Sequence, residues 1–195
     1  KEVNPHGLAF ISGQAATSPG PLDPVEPLAA QSFEKLRAAV AAAGVTSRDV
    51  LRVTCFFSSL DDLSRIRVRF DREYPQAARN YLQAQRVPAH ALAECEAVAR
   101  LSSPPAAPLE IRNPGGEGSP YSQIALVGAP QLVFTGMQSS YGFRDEDARL
   151  AFERLEKTAE QAGVSLKDAA FAAFYPLSAS IAQQVRRVRA PFFDP

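Results

Sequence analysis

The sequence predicts an α+β protein built from two tandem copies of one small module, and three observations carry that prediction. A long stretch repeats itself at fixed spacing, each copy alternates strand-like with helix-like patterns, and the composition is that of a globular chain. With 195 residues, 46% hydrophobic and 22% charged, there is enough apolar material to fill packed cores, and disorder is not the default.

The repeat is the organising feature, since self-similarity must be recognised before any fold is assigned. Residues 43–75, beginning AGVTSRDVLRVTCFF, lie without gaps over residues 162–194, beginning AGVSLKDAAFAAFYP, at a constant offset of 119 (Ala43 on Ala162). The offset extends backward through the preceding helix, placing Phe33, Glu34 and Leu36 on Phe152, Glu153 and Leu155. Further upstream, LAFISGQ at 8–14 answers LVFTGMQ at 132–138, the loop between being five residues shorter in the second copy. A first module over 1–101, a linker over 102–118 and a second module over 119–195 follow.

Each copy opens with a short strand ending in glycine. In the first copy a helix over 27–43 comes next, with Ala29, Phe33, Leu36, Val40 and Ala43 at three- and four-residue steps and Gly44 stopping it. Its counterpart runs from Asp145 to Gly163. Val50, Val53, Cys55 and Phe57 form a β-rich segment, and SSLDDLSRIRVRFDREY follows with a serine cap and helical period. ARNYLQAQRVP and ALAECEAVARL then read as two strands that complete a sheet. Residues 102–118 are rich in proline and glycine, which sustain neither helix nor central strand, so they read as a linker with one short strand at Leu109–Arg112. YSQIALVG is a strand leading into the second copy. The first copy has no such strand before LAFISGQ and the second has no equivalent of the last two, so either the halves complement one another or the sequence is a fragment.

Lysine plus arginine equals aspartate plus glutamate at 21 each, so no overall field draws nucleic acid or an anionic membrane. Cys55 and Cys95 stand apart in apolar segments, which predicts buried thiols in a reducing compartment rather than a disulfide or zinc framework. His6 and His90 are the only imidazoles and gather no ligand cluster, so no metal is expected. No apolar run reaches the roughly 18 residues that span a bilayer, and no signal-peptide core opens the chain. The expected address is the cytosol.

Taken together, SPYSQ at 119–123, FISGQ at 10–14, the AG pairs at Ala43 and Ala162, Arg79 in AARNYL and ECEAVA at 94–99 resemble the YjgF/Rid family, which also carries the name endoribonuclease L-PSP. Their order and spacing carry the resemblance more than any one motif. It implies a chorismate-mutase-like module, a compact sheet backed by two helices, and a trimeric arrangement of modules with clefts between neighbours. It also implies hydrolysis of reactive enamines and imines to 2-keto acids and ammonia, with a small imino or keto acid as ligand and no cofactor.

The chemistry suits the residues that match. A 2-imino acid offers a carboxylate, a polarised C=N carbon and a nitrogen that leaves as ammonia. Arg79 can grip the carboxylate through two parallel hydrogen bonds. Glu94 can position water or exchange a proton with the nitrogen, and burial beside a bound anion would raise its pKa toward a useful value. Backbone N–H groups around Ser12 and Gly13 could complete the carboxylate site, and on family matching Tyr121 faces the cleft from a different module.

Plainer roles compete. Arg79 could be a solvated charge, Glu94 and Glu96 the exposed face of a half-buried strand, Ser12 and Gly13 a turn, and Tyr121 a core aromatic. Arg65, Arg67, Arg69 and Arg72 read as a solvated or ion-paired helix face, with Asp61, Asp62 and Asp71 as partners, rather than an RNA contact; His90 reads as a loop residue facing solvent. The second copy carries Gly136 and Met137 where the first has Ser12 and Gly13, so alone it forms no site. Arg67 stands where the family often has asparagine, and Tyr81 where it often has cysteine. Beside the deaminase, two further functions are compatible with the residues: a non-catalytic carboxylate-binding or assembly module, and an endoribonuclease, which would need a basic groove with stacking aromatics.

Overall fold

A computed structural model of the chain describes residues 6–84, 90–114 and 123–193. They divide into two compact units, Lys1–Pro130 and Gln131–Pro195, each of which is described by itself.

Unit one contains β1 (Leu8–Ser18), α1 (Val25–Ala42), β2 (Val50–Phe57), α2 (Leu63–Glu73), β3 (Ala78–Gln83), β4 (Ala91–Arg100), β5 (Leu109–Arg112) and β6 (Ile124–Val127). α1 begins two residues before the expected start and buries Leu28, Ala29, Phe33, Leu36 and Val40, one stripe of the helical repeat. It ends as the sequence predicts: Gly44 takes φ +76°, its N–H bonds to the Ala41 carbonyl, and the Val45 N–H reaches back to Val40. Those paired bonds satisfy carbonyls that a helix end otherwise leaves open. The N-cap position of α2 is Asp62 rather than a serine, and it makes no side-chain cap bond; Ser59 bonds to Asp61.

The sheet order is β3-β2-β4-β1-β6-β5. Among the described strands only β2 and β3 run parallel, as expected for strands joined through a helix; β4 lies between β2 and β1, antiparallel to both. The buried face of β4 is Ala91, Ala93, Cys95, Ala97 and Ala99, and these small side chains let α1 pack closely on β1 and β4. The core continues through Val53, Phe57, Phe70 and Tyr74.

Two expectations are corrected here. β1 does not end at Gly13: a bulge between Ile11 and Gln14 absorbs the irregularity, and pairing with β4 resumes to Ser18. Cys55 and Cys95 are not free thiols but a disulfide. They stand directly opposite one another on β2 and β4, a proximity that 40 intervening residues hide from the sequence. The inference from free thiols to a reducing compartment loses its basis.

The compact unit takes in residues beyond those expected as the first module. The span expected as linker contributes β5, at the residues anticipated, and the strand expected to open the second module is β6, which pairs with β1 of the first: Leu8 opposite Val127 and Ile11 opposite Ile124. All four residues of β6 are buried. The physical reason is the unpaired edge of β1, whose N–H and C=O groups and apolar side chains are satisfied by β6. Unit one therefore runs to Pro130, taking in β5 and β6 beyond the residues 1–101 expected as the first module.

Unit two contains α3 (Asp145–Gln161) and α4 (Ala179–Arg189), which bury Phe152, Ala159, Leu166, Val188 and Phe192 together. Its helix end repeats that of α1: Gly163 has φ +76°, with Gly163 N–H bonded to Glu160 and Val164 N–H to Ala159. The strand expected at 132–138 does not form, nor do residues 169–176, which the repeat places on β2, form one. In unit one, β1 and β2 both take their ladder from β4, and no sequence equivalent of β4 lies in 131–195. Phe134, Met137 and Tyr175 of these segments are exposed.

Among the described residues no helix is long and apolar enough to cross a membrane, and no group of three or more His, Cys, Asp or Glu side chains could hold a metal ion.

Candidate functional site

The β1 bulge and β4 bring Ser12, Gly13 and Glu94 together. Alternation along β4 turns Cys95 into the core and Glu94 to the open face of the sheet. There the Glu94 carboxylate folds over Gly13, so closely that an added β-carbon would fall 1.8 Å from its Oε1. Glycine is what permits the approach. Burial pushes the Glu94 carboxyl above its ordinary range, as the sequence anticipates, because removal from water disfavours the charged form. Glu96, two residues along the same face, is raised by burial as well; Arg52, 3.8 Å away, opposes the rise and Glu94 adds to it.

The Ser12 N–H is not available to an anion, since it donates to the Gln123 carbonyl at 2.9 Å. The Ser12 carbonyl accepts from Gln14 Nε2. Of the backbone N–H groups expected around Ser12 and Gly13 to complete the carboxylate site, that of Ser12 belongs instead to the ladder with the segment leading into β6. Tyr121 lies outside the described residues.

Arg79 sits on β3, an edge strand, and its register separates it from Glu94. It pairs with Val53, and Tyr81 with Cys55. Val53 and Cys55 face the core, and Tyr81 packs against that core beside Phe57 and Phe70. Glu94 pairs with Phe56, of opposite parity. Arg79 therefore belongs to the helix face and Glu94 to the open face, so a single unit does not bring them together. Arg79 is held: its Nε lies 2.9 Å from Asp71 Oδ1 and its Nη1 donates to the Tyr74 carbonyl at 2.7 Å. Burial, aided by the charge of Asp71, raises the neighbouring Tyr81 hydroxyl; Arg79 and Arg67 oppose the rise.

The basic run of α2 is largely ion-paired. Arg65 lies near Glu26 and Asp62, Arg67 near Asp71, and Arg69 near Glu34 and over the Phe33 ring. His90 is exposed just before β4. Sequence reasoning named Asp71 only as a partner for that run; its i+4 spacing from Arg67 is visible in the sequence, but its contact with Arg79 needs the fold.

The profile of the family described as endoribonuclease L-PSP matches residues 1–101. A RutC family protein from Haemophilus influenzae is 29% identical over 102 residues, covering 47% of this chain and 78% of the relative. Among solved structures, the YjgF gene product from E. coli is 28% identical, covering 48% of this chain and 80% of that one with a TM-score of 0.39. E. coli TdcF with bound serine is 28% identical, covering 49% and 82% with a TM-score of 0.40. With the family profile spanning residues 1–101 of the 195, the chain belongs to the endoribonuclease L-PSP family, also called YjgF/Rid.

Proposed function

We propose that the chain hydrolyses small 2-imino acids, and their enamine tautomers, to 2-keto acids and ammonia, at a site that combines two copies of unit one. The observation that carries this reading is the Glu94 carboxylate, raised by burial and set over Gly13. A carboxylate whose pKa is moved up toward the working pH exchanges protons in both directions more effectively than an ordinary one. As a base, Glu94 takes a proton from water while the oxygen bonds to the imine carbon and the C=N pair moves onto nitrogen. As an acid, it returns the proton to that nitrogen in the tetrahedral intermediate, which, for a substrate bound as the protonated iminium, makes the –NH3+ leaving group. Ammonia then leaves, the C=O bond forms, and the hydroxyl proton is released.

Arg79 grips the substrate carboxylate. Because it faces away from Glu94 on its own sheet, the two act on one small molecule only when the β3 edge of one copy borders the open face of another. That requirement gives a physical reason for the trimeric arrangement of modules expected from the family. The paired arginines of α2 and the balanced charge weigh against the endoribonuclease. The test is release of ammonia and keto acid from a freshly generated 2-imino acid. Wild-type protein should accelerate it; Glu94→Gln should bind the keto-acid product and not turn over. Equal turnover by both proteins would remove Glu94 from the chemistry.

A further inference from the structure

We propose that Asp71 is a positioning residue for carboxylate capture: it holds the Arg79 guanidinium in its binding orientation before any ligand arrives. The inference rests on the proposed role of Arg79 as the carboxylate grip.

Arg79 projects from an edge strand, where an arginine with four rotatable bonds would ordinarily sweep a wide volume. Here it is fixed at two points on different nitrogens. Asp71 Oδ1 takes Nε at 2.9 Å and the Tyr74 carbonyl takes Nη1 at 2.7 Å. Two anchors and the covalent stem define the plane of a rigid guanidinium. Of the arginines in ion pairs among the described residues, Arg79 has the least exposed side chain, at 26%, against 61% for Arg67 and 71% for Arg65. Those are solvated surface pairs; this one is tethered. Asp71 is itself steadied by Arg67, whose Nε lies 3.7 Å from the other carboxylate oxygen one helical turn earlier.

Chemically, Asp71 plays the orienting part that a carboxylate plays behind many functional side chains. Holding a polar group in its bound geometry in advance removes an ordering cost from binding, and here an ion pair at Nε and a hydrogen bond from Nη1 do the holding. Asp71 also occupies the Nε edge of the fork, so an incoming carboxylate is directed to the Nη end. The role differs from a salt bridge that merely ties α2 to β3, because it predicts an effect that depends on the ligand's charge.

The experiment measures equilibrium binding of pyruvate and of its uncharged amide, by calorimetry or ligand-observed NMR, to the full chain and to Asp71→Ala, Asp71→Asn and Arg79→Ala. Asp71→Ala should weaken pyruvate binding about tenfold or more and leave binding of the amide unchanged. Asp71→Asn, which keeps an oxygen beside Nε without the negative charge, should recover part of the loss. It also gives the answer should the alanine variant fail to fold, which circular dichroism would reveal. Equal pyruvate affinity in wild type and both Asp71 variants, with Arg79→Ala impaired, would overturn the positioning role and leave the grip intact. Failure of the wild type to bind pyruvate, or no loss in Arg79→Ala, would overturn the grip and the inference together.

Discussion

Glu94 and Gly13 are in contact across the β1–β4 ladder, and the contact leaves no room for a β-carbon: one added at position 13 would lie 1.8 Å from Oε1 and 2.6 Å from Cδ. Gly13 is not among the glycines with positive φ, so alanine fits the backbone, and the three nearest atoms its β-carbon would meet all belong to the flexible Glu94 side chain. Gly13→Ala should therefore cost no more than about 1–3 kcal/mol of stability while displacing the carboxylate, and a misplacement of about 1 Å costs about 100-fold in rate. A thermal melt and an ammonia-release assay on the same preparation separate the two effects. A collapsed melt with proportionate loss of activity would mark Gly13 as purely structural.

The raised carboxyls of Glu94 and Glu96 predict a direction in pH. Burial lifts both above the ordinary 4.5, so the folded state binds their protons more tightly than the unfolded state does. Their contribution to stability is fully present below pH 4.5 and is lost as pH rises through the folded pKa values. Glu94→Gln, which stays neutral, should be more resistant to urea than wild type at neutral pH, with the gain vanishing in acid. Activity should show an acidic limb above pH 4.5, since the base form of Glu94 must be present. Urea midpoints at both ends of the range and a kcat/KM profile check the two halves.

The Cys55–Cys95 disulfide closes a loop of 40 residues, and a loop of that length contributes about 4 kcal/mol by restricting the unfolded chain. Replacing both cysteines by alanine should lower the unfolding free energy by a few kcal/mol, about that amount, and leave turnover nearly unchanged, because both side chains lie in the core and away from Glu94's face. Both are fully buried, so thiol titration of native protein under reductant should find no reactive groups until denaturant is added.

β6 gives a test of where unit one ends. A fragment of residues 1–130 retains the six-stranded sheet and should fold cooperatively. A fragment of residues 1–118 lacks β6, exposes the β1 edge with Ala9 and Ile11 beside it, and should melt lower and associate. Equal stability of the two fragments, measured by circular dichroism and light scattering, would place the boundary where the sequence alone suggested.

Much of this architecture is written locally. Gly44 and Gly163 announce two helix ends that adopt the same φ and the same pair of capping bonds, because the information needed is a few residues of spacing. The alternation ALAECEAVAR gives β4 and both its faces. What the sequence conceals is register. Cys55 opposite Cys95, β6 beside β1 rather than 132–138, and Arg79 on the face away from Glu94 all depend on which strands lie next to each other. A one-residue difference in parity reverses the answer. Asp71 is hidden for the same reason, since its contact with Arg79 requires α2 and β3 to be folded together.

The opposite facing of Arg79 and Glu94 makes one experiment most direct. Arg79→Ala and Glu94→Gln proteins, each purified alone, should be inactive on a 2-imino acid. Mixed, gently dissociated and reassembled, they should regain ammonia release, because a site taking Arg79 from one copy and Glu94 from another is intact in mixed assemblies. A mixture as inert as its components, beside an active wild-type protein treated in the same way, would contradict a site shared between two copies.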